Sequence, residues 1–464
     1  LRKLLSICLV FLLLSAPTAS AISIPDEQKL GKTFMKQIRD QGLILHDPVA
    51  DHLINTVGNH ILRAVPPQPF HYDFYLINDD SFNAFATPGA NIFVHRGLFA
   101  SLDCIDEFAG ILAHEIAHAV SRHVSQSIDR SKLISIGSMA GMLAGALIGA
   151  SGGGDAASAV TVGSMAAGQS SMLAYTRENE TEADQKGQLF LDATGYSPQG
   201  LLTSLQKMRA ADYFGMDGIP DYFKTHPGTG NRIVNLAAIL ADHEDPADKP
   251  GPPKTIDFSM VKYRIIGLYG NPDKYMATLK ARLARQPEDA ALNYGMGLLY
   301  RRLHQLDQAE AHLQKALSVR LFDPLILLEI GRLNIDKGDF NKAITVLSGI
   351  TADKVLGDLA TYYTAIAQIE TGALPSAEAG LRQVLETAPD SFVKANFHLA
   401  HIMSRTSNSP MSHYYLGVYH ARTRDVKNAV FHLNRALETL KDPAYREKTQ
   451  KELADLKDKK HRQG

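Results

Sequence analysis

Cysteine is almost absent from this chain, which has two, Cys8 and Cys104, in 464 residues. Cys8 falls in an amino-terminal stretch read below as a leader, so the mature chain keeps one thiol. A single thiol makes no internal disulfide, which excludes a stapled fold and leaves packing as the source of stability. Cys104 reads as a small buried hydrophobe rather than a catalytic thiol. An excess of either charge is also missing. The formal net charge is −1, which removes the general electrostatic reason to expect nucleic acid as a partner. Long hydrophobic runs are scarce. Leu4–Leu14 is shorter than the roughly 20 residues that span a bilayer. With Arg2 and Lys3 before it and Ala19-Ser20-Ala21 after it, the run reads as a secretory signal peptide, residues 1–21, cleaved after Ala21.

What is present is length and order. A chain of 464 residues suggests two or three domains. Helices are expected around Asp26–Arg39 and Asp47–Ala64, then a strand over Phe70–Ile77 and a second at Asn91–His95, reached through the turn Thr87-Pro88-Gly89. Asp103 is the expected N-cap of the following helix. Farther on, Gly195 closes one helix and Ser197-Pro198 opens the next. Residues 245–255, with four prolines between Asp245 and Lys254, cannot be regular structure and mark a linker. The expected domains are therefore 22–244 and 256–464.

The second of these repeats itself. Gly297, Gly331 and Ala365 stand 34 residues apart, as do Ala309, Ala343 and Ala377, and Leu313, Leu347 and Leu381. A fourth unit, with Gly417, Ala429, Leu433 and Ala436, is displaced by an 18-residue insertion, and Leu279 and Pro287 suggest a degenerate earlier one. Small residues at helix crossings with this period are the signature of tetratricopeptide repeats, which stack into a superhelix suited to holding a peptide or partner.

The chemistry lies in His114-Glu115-Ile116-Ala117-His118. On a helix, positions four apart are offset by about 40°, so both imidazoles share a face and can take two positions around a tetrahedral Zn²⁺. Glu115, beside the first, is placed to take a proton from water. Taken alone, the pattern also fits an amphipathic helix with two surface histidines. A third ligand is needed, and Glu178-Asn179-Glu180-Thr181-Glu182-Ala183-Asp184 offers candidates. Glu180 and Asp184 share a face, as ligand and orienting carboxylate, while Glu178 and Glu182 compete on chemistry alone. His123, five residues past His118, sits about 140° round a continuous helix, away from the metal.

His114–His118 followed by Glu180–Asp184, together with Asn83-Ala84-Phe85-Ala86-Thr87-Pro88-Gly89 before the Ile92–Val94 strand, resembles the HtpX and CAAX-prenyl-protease-like family of zinc metallopeptidases. Where that family usually has a second glycine, this chain has Ala90. The resemblance implies an α+β, mostly helical, gluzincin-type metallopeptidase domain with a small sheet, followed here by the repeats. It implies one zinc held by His114, His118 and Glu180, Asp184 behind them, and Glu115 as the base that passes a proton to the leaving amine. His226, in Thr225-His226-Pro227, matches a histidine of related sequences. It is either an oxyanion stabiliser or an inhibitory fourth ligand, unless it merely caps the turn that Pro227 forces. The Asn91–His95 strand is expected to pair with extended substrate.

With a leader and carboxy-terminal repeats, the resemblance further implies the periplasm of a Gram-negative bacterium. The implied substrates are misassembled outer-membrane proteins, and the implied partner is the outer-membrane assembly machinery, met through the repeats. The other class of function is a periplasmic chaperone or adaptor in which the repeats dominate. One segment stays apart from these readings: Leu133–Ala150, uncharged, with Gly137, Gly141, Gly145 and Gly149 every four residues. Its length alone fits a membrane span, but Glu180 must return to the metal that His118 touches. Packing on the peptidase core, a movable cover over the cleft, or peripheral membrane contact are the readings left.

Overall fold

The structure is a computed structural model and describes residues 22–130, 175–213, 221–241 and 251–461. The leader and the Leu133–Ala150 glycine seam lie outside the described residues. No described helix is long and apolar enough to cross a membrane. The chain divides into two compact units, Leu1–Ile265 and Ile266–Gly464.

The first unit opens with α1 (Ile24–Asp40), whose N-cap Ser23 accepts from the Asp26 N–H with proline in the first turn. A short strand β1 (Ile44–Leu45) leads to α2 (Pro48–Ile61). Asp47 caps α2 by accepting from the Val49 and Ala50 N–H groups at 3.1 Å. The same buried carboxylate takes Arg264 Nε at 2.9 Å, from α10 (Phe258–Tyr269). A four-stranded sheet follows: β2 (Asp73–Ile77), β3 (Ala84–Ala86) and β4 (Asn91–His95), in the order β1-β2-β4-β3. Leu30, Phe34 and Ile38 of α1 pack on Ile77, Phe85 and Phe93 of the sheet, with Phe34 edge-on to Phe93 at 5.8 Å.

Three expectations are corrected here. β4 is paired on both edges, parallel to β2 and antiparallel to β3, so it has no free edge for substrate. The chain folds back through Thr87–Ala90 and lays β3 along the side of β4 that the sequence pattern left open. Asp103 is not the N-cap of the next helix, α4 (Ile105–Val120). That place is Cys104, which makes no side-chain cap. Asp103 instead pairs with Lys207 and Lys262, and its N–H donates to Glu107 Oε2 at 2.7 Å. Cys104 is exposed rather than buried, because a cap position leaves the chain before the helix turns inward.

Short α3 (Arg96–Ser101) precedes α4; after α4 come α5 (His123–Arg130), α6 (Arg177–Thr194), α7 (Gln199–Tyr213), α8 (Asp221–Thr225) and α9 (Thr229–Ala241). Gly195, in the left-handed region at φ 79°, ends α6, and Ser197-Pro198 leads into α7, both as the sequence indicates. Helix α4 is buried continuously from Glu107 to His118. At about 1.5–3 kcal/mol per buried large side chain, Phe108, Ile111, Leu112 and Ile116 stabilise it strongly enough to seat polar groups among them.

The second unit is built of helices joined by short turns: α11 (Pro272–Arg285), α12 (Ala290–Arg302), α13 (Leu306–Val319), α14 (Pro324–Asp336), α15 (Phe340–Ser348), α16 (Gly357–Glu370), α17 (Leu374–Thr387), α18 (Val393–Arg405), α19 (Ser409–Arg422), α20 (Val426–Thr439) and α21 (Pro443–His461). The repeated columns are the crossings. A Cβ on Gly297, Gly331 or Gly417 would meet Leu313, Leu347 or Leu433 at 2.7, 2.4 and 2.6 Å, so the helices pack with no room for a side chain. Ala309, Ala343, Ala377 and Ala429 are fully buried. The insertion before the fourth unit is itself a helix, α18, which packs between its neighbours α17 and α19.

The Thr87–Ala90 turn also explains the one departure in the motif. Gly89 and Ala90 both lie at positive φ, 78° and 64°. An L-residue in this region carries a cost of roughly 1–2 kcal/mol that glycine avoids. Ala90→Gly is expected to raise stability by about 1 kcal/mol in chemical denaturation; an unchanged midpoint would show the turn is unstrained.

Candidate metal centre

Helix α4 carries His114, Glu115 and His118 inward, and all three are completely buried. The two Nε2 atoms face each other at 3.0 Å. Helix α6 starts from a capping box between Thr176 and Asn179, which fixes the phase in which its acidic residues leave the axis. Glu180 then points at the histidines, with Oε1 3.4 Å from His118 Nε2 and Oε2 3.6 Å from His114 Nε2. One turn on, Asp184 Oδ1 lies 3.0 Å from His114 Nδ1. The competing carboxylates are thereby separated. Glu178 is exposed, and Glu182 turns to Lys186 and Ser121.

His226 arrives from the end of α8. Its Nδ1 is engaged by Thr225 Oγ1 at 2.9 Å and the Tyr222 carbonyl at 3.2 Å. Its ring stacks on Tyr222 with centroids 4.1 Å apart. This leaves Nε2 directed inward, 3.4 Å from Glu115 Oε1. Tyr175 covers the other side, its ring stacked on His118 at 3.8 Å.

Two participants were not visible in the sequence. Arg232 of α9 is buried and joins the two carboxylates, Nη1 to Glu180 Oε2 at 2.6 Å and Nη2 to Asp184 Oδ1 at 2.7 Å. Nothing in Gly230-Asn231-Arg232-Ile233 distinguishes this arginine from a solvated one. His123 is the second, and its expected position is corrected. Helix α4 stops at Val120, Arg122 takes φ 54°, and His123 begins a new helix. The bend brings His123 back, with Nδ1 2.9 Å from His118 Nδ1.

Burial dominates the ionisation of the group. It pushes Glu115 well above the ordinary carboxylate range, reinforced by the Glu180 charge and opposed by Arg232. It pulls His114, His118 and His226 well below the usual imidazole range, so all three are neutral and keep a lone pair. Glu180 is raised by burial and held down by Arg232.

Whether a metal fits is decided by the atoms left without partners. Both carboxylate oxygens of Glu115, Oε1 of Glu180 and Nε2 of His226 have no hydrogen-bond partner among the described residues, while Oε2 of Glu180 is ion-paired with Arg232. Buried polar atoms left so cost about 1–3 kcal/mol each, yet here they converge. One ligand atom from each of His114, His118, Glu180 and His226 lies within 4.8 Å of the others. Imidazole nitrogens with one carboxylate oxygen are a donor set for zinc.

Residues 51–240 match the model described as Peptidase family M48, and residues 290–321 match Tetratricopeptide repeat. Residues 51–240 are therefore similar to M48 peptidases, and residues 290–321 to tetratricopeptide repeats. M48 peptidases are zinc-dependent, which accords with the donor set. Over 314 residues the chain is 29% identical to the beta-barrel assembly-enhancing protease of Yersinia pestis, covering 64% of this chain and 61% of that protein. It is 26% identical over 341 residues to the protein of the same name from Escherichia coli strain K12, covering 71% and 67%. The chain thus spans less than two thirds of the length of the first of these relatives.

The first unit depends on Arg232 to balance two buried carboxylates. Arg232→Met is expected to destabilise the metal-free protein by about 3–5 kcal/mol in urea denaturation, since it strands both charges. A loss below 1 kcal/mol would show that the carboxylates are neutral or solvated.

Proposed function

We propose that this is an exported zinc endopeptidase of the Gram-negative periplasm that degrades misassembled outer-membrane proteins and assists their assembly. The signal peptide is residues 1–21, and the repeats, from residue 256 on, recruit substrate or the outer-membrane assembly machinery. The observation that carries the reading is the convergence of His114, His118, Glu180 and His226 beside an unpartnered Glu115. The compartment, substrates and partner rest on the likeness to the two beta-barrel assembly-enhancing proteases.

His114, His118 and Glu180 hold the metal, and Asp184 accepts the Nδ1–H of His114, fixing the tautomer that leaves Nε2 free. Zinc bound there supplies Lewis-acid activation of water and of the scissile carbonyl. Glu115 accepts the proton of the attacking water on its free carboxylate and returns it to the leaving amine. The edge strands of the sheet are β1 and β3, and β3, which packs beside α4, replaces β4 as the strand on which an extended peptide is held by backbone hydrogen bonds.

His226 serves as a fourth ligand that keeps the resting enzyme shut. Its Nε2 is aimed inward and it is neutral, which suits a ligand better than an oxyanion stabiliser. The same closure favours the second reading, a periplasmic chaperone or adaptor in which proteolysis is repressed and the repeats dominate.

Glu115→Gln is expected to lower casein cleavage by roughly 10²–10⁴-fold while zinc content is kept. If that variant still rescues an outer-membrane assembly defect in cells lacking the gene, the adaptor reading replaces the protease. His226→Ala is expected to raise casein cleavage severalfold with zinc retained; a fall in cleavage would assign it to the oxyanion instead.

A further inference from the structure

We infer that His123 is a positioning residue that fixes the tautomer of His118, and that Glu182 in turn fixes the tautomer of His123. The inference deepens the zinc-site reading and rests on it. Its basis is the pair of Nδ1 atoms, His118 and His123, 2.9 Å apart. Two protonated ring nitrogens at that distance clash, and two bare ones repel, so one donates and the other accepts. His118 directs its Nε2 into the metal site, toward His114 and Glu180, and with zinc held there a neutral imidazole that ligates through Nε2 carries its proton on Nδ1. His118 is therefore the donor, and His123 accepts at its own Nδ1.

His123 then holds its single proton on Nε2, and that atom lies 3.2 Å from Glu182 Oε2. Glu182 is in turn fixed by Lys186 Nζ at 2.7 Å and Ser121 Oγ at 3.0 Å on its other oxygen. The three links, Glu182 to His123 to His118, do for the second histidine what Asp184 does directly for the first. His123 is wholly buried, whereas the Glu182 side chain is 46% exposed. One end of the relay is therefore locked in the core and the other is open to variation. The bend at Ser121–Arg122 exists in the fold at the cost of a left-handed arginine, and its effect is to bring this imidazole onto His118.

The test compares His123→Leu, which fills the space without an acceptor, with His123→Asn, whose amide oxygen stands near the place of Nδ1. Zinc affinity is measured on the full chain by chelator competition, and the hydrogen bond of the His118 Nδ1 proton by NMR of the zinc-bound protein. His123→Leu is expected to weaken zinc about 10–100-fold and to remove the hydrogen-bonded shift of the His118 Nδ1 proton, and His123→Asn to recover most of both. Glu182→Leu, at a half-exposed position where folding is not at risk, is expected to weaken that hydrogen bond and zinc binding in the same direction. Unchanged affinity and proton shift in His123→Leu and Glu182→Leu overturn the inference. A wild-type chain that takes up no zinc overturns the metal reading itself, an outcome distinct from zinc uptake that the variants leave unchanged.

Discussion

The centre depends on one buried cation. Arg232 lies between Glu180 and Asp184, and without it two carboxylates would enter a water-free interior with nothing to offset them. Burial of an unpaired charge costs several kcal/mol, which is more than a single helix contact returns. The guanidinium thus allows α6 to lie against α4 with its acidic face inward. That in turn sets Glu180 within 3.6 Å of both histidine Nε2 atoms. Arg232 touches chemistry only through the groups it holds, but the positions of those groups follow from it.

Around that ion group the site is buried. Tyr175 and Tyr222 stack on His118 and His226, and His114, Glu115, His118 and His226 have no exposure at all. In so low a dielectric, fixed dipoles and charges act more strongly than in water, which suits polarising a carbonyl and moving a proton. The same burial bars a polypeptide from the metal, so access and chemistry are in opposition.

The repeats answer to a different constraint. Their helices cross at a small residue, glycine facing leucine at Gly297, Gly331 and Gly417 and alanine at Ala365, so a period of 34 residues is a packing requirement and not a coincidence of composition. Helix α18 interrupts the period without interrupting the stack, because it packs on both neighbours, α17 and α19, through Ala395, Leu399, Ala400, Ile402 and Met403.

The sequence by itself determined the local and periodic features: helix α4 with two histidines one turn apart, the Glu180–Asp184 face, the strand at Asn91–His95, the Gly195 stop and the repeat columns. Each is read from spacing along one element, where geometry is set by helical or strand period alone. Tertiary structure decided what depends on where separate elements meet. That β4 is flanked on both sides, that Arg232 is buried, that Glu180 rather than Glu182 faces the histidines, and that His123 returns to His118 are all outcomes of packing. A turn at Ser121–Arg122 is invisible to a periodicity argument, which assumes the helix continues, and a buried arginine carries the same letter as a solvated one. Pairing and burial are properties of two or more segments together, so no single segment announces them.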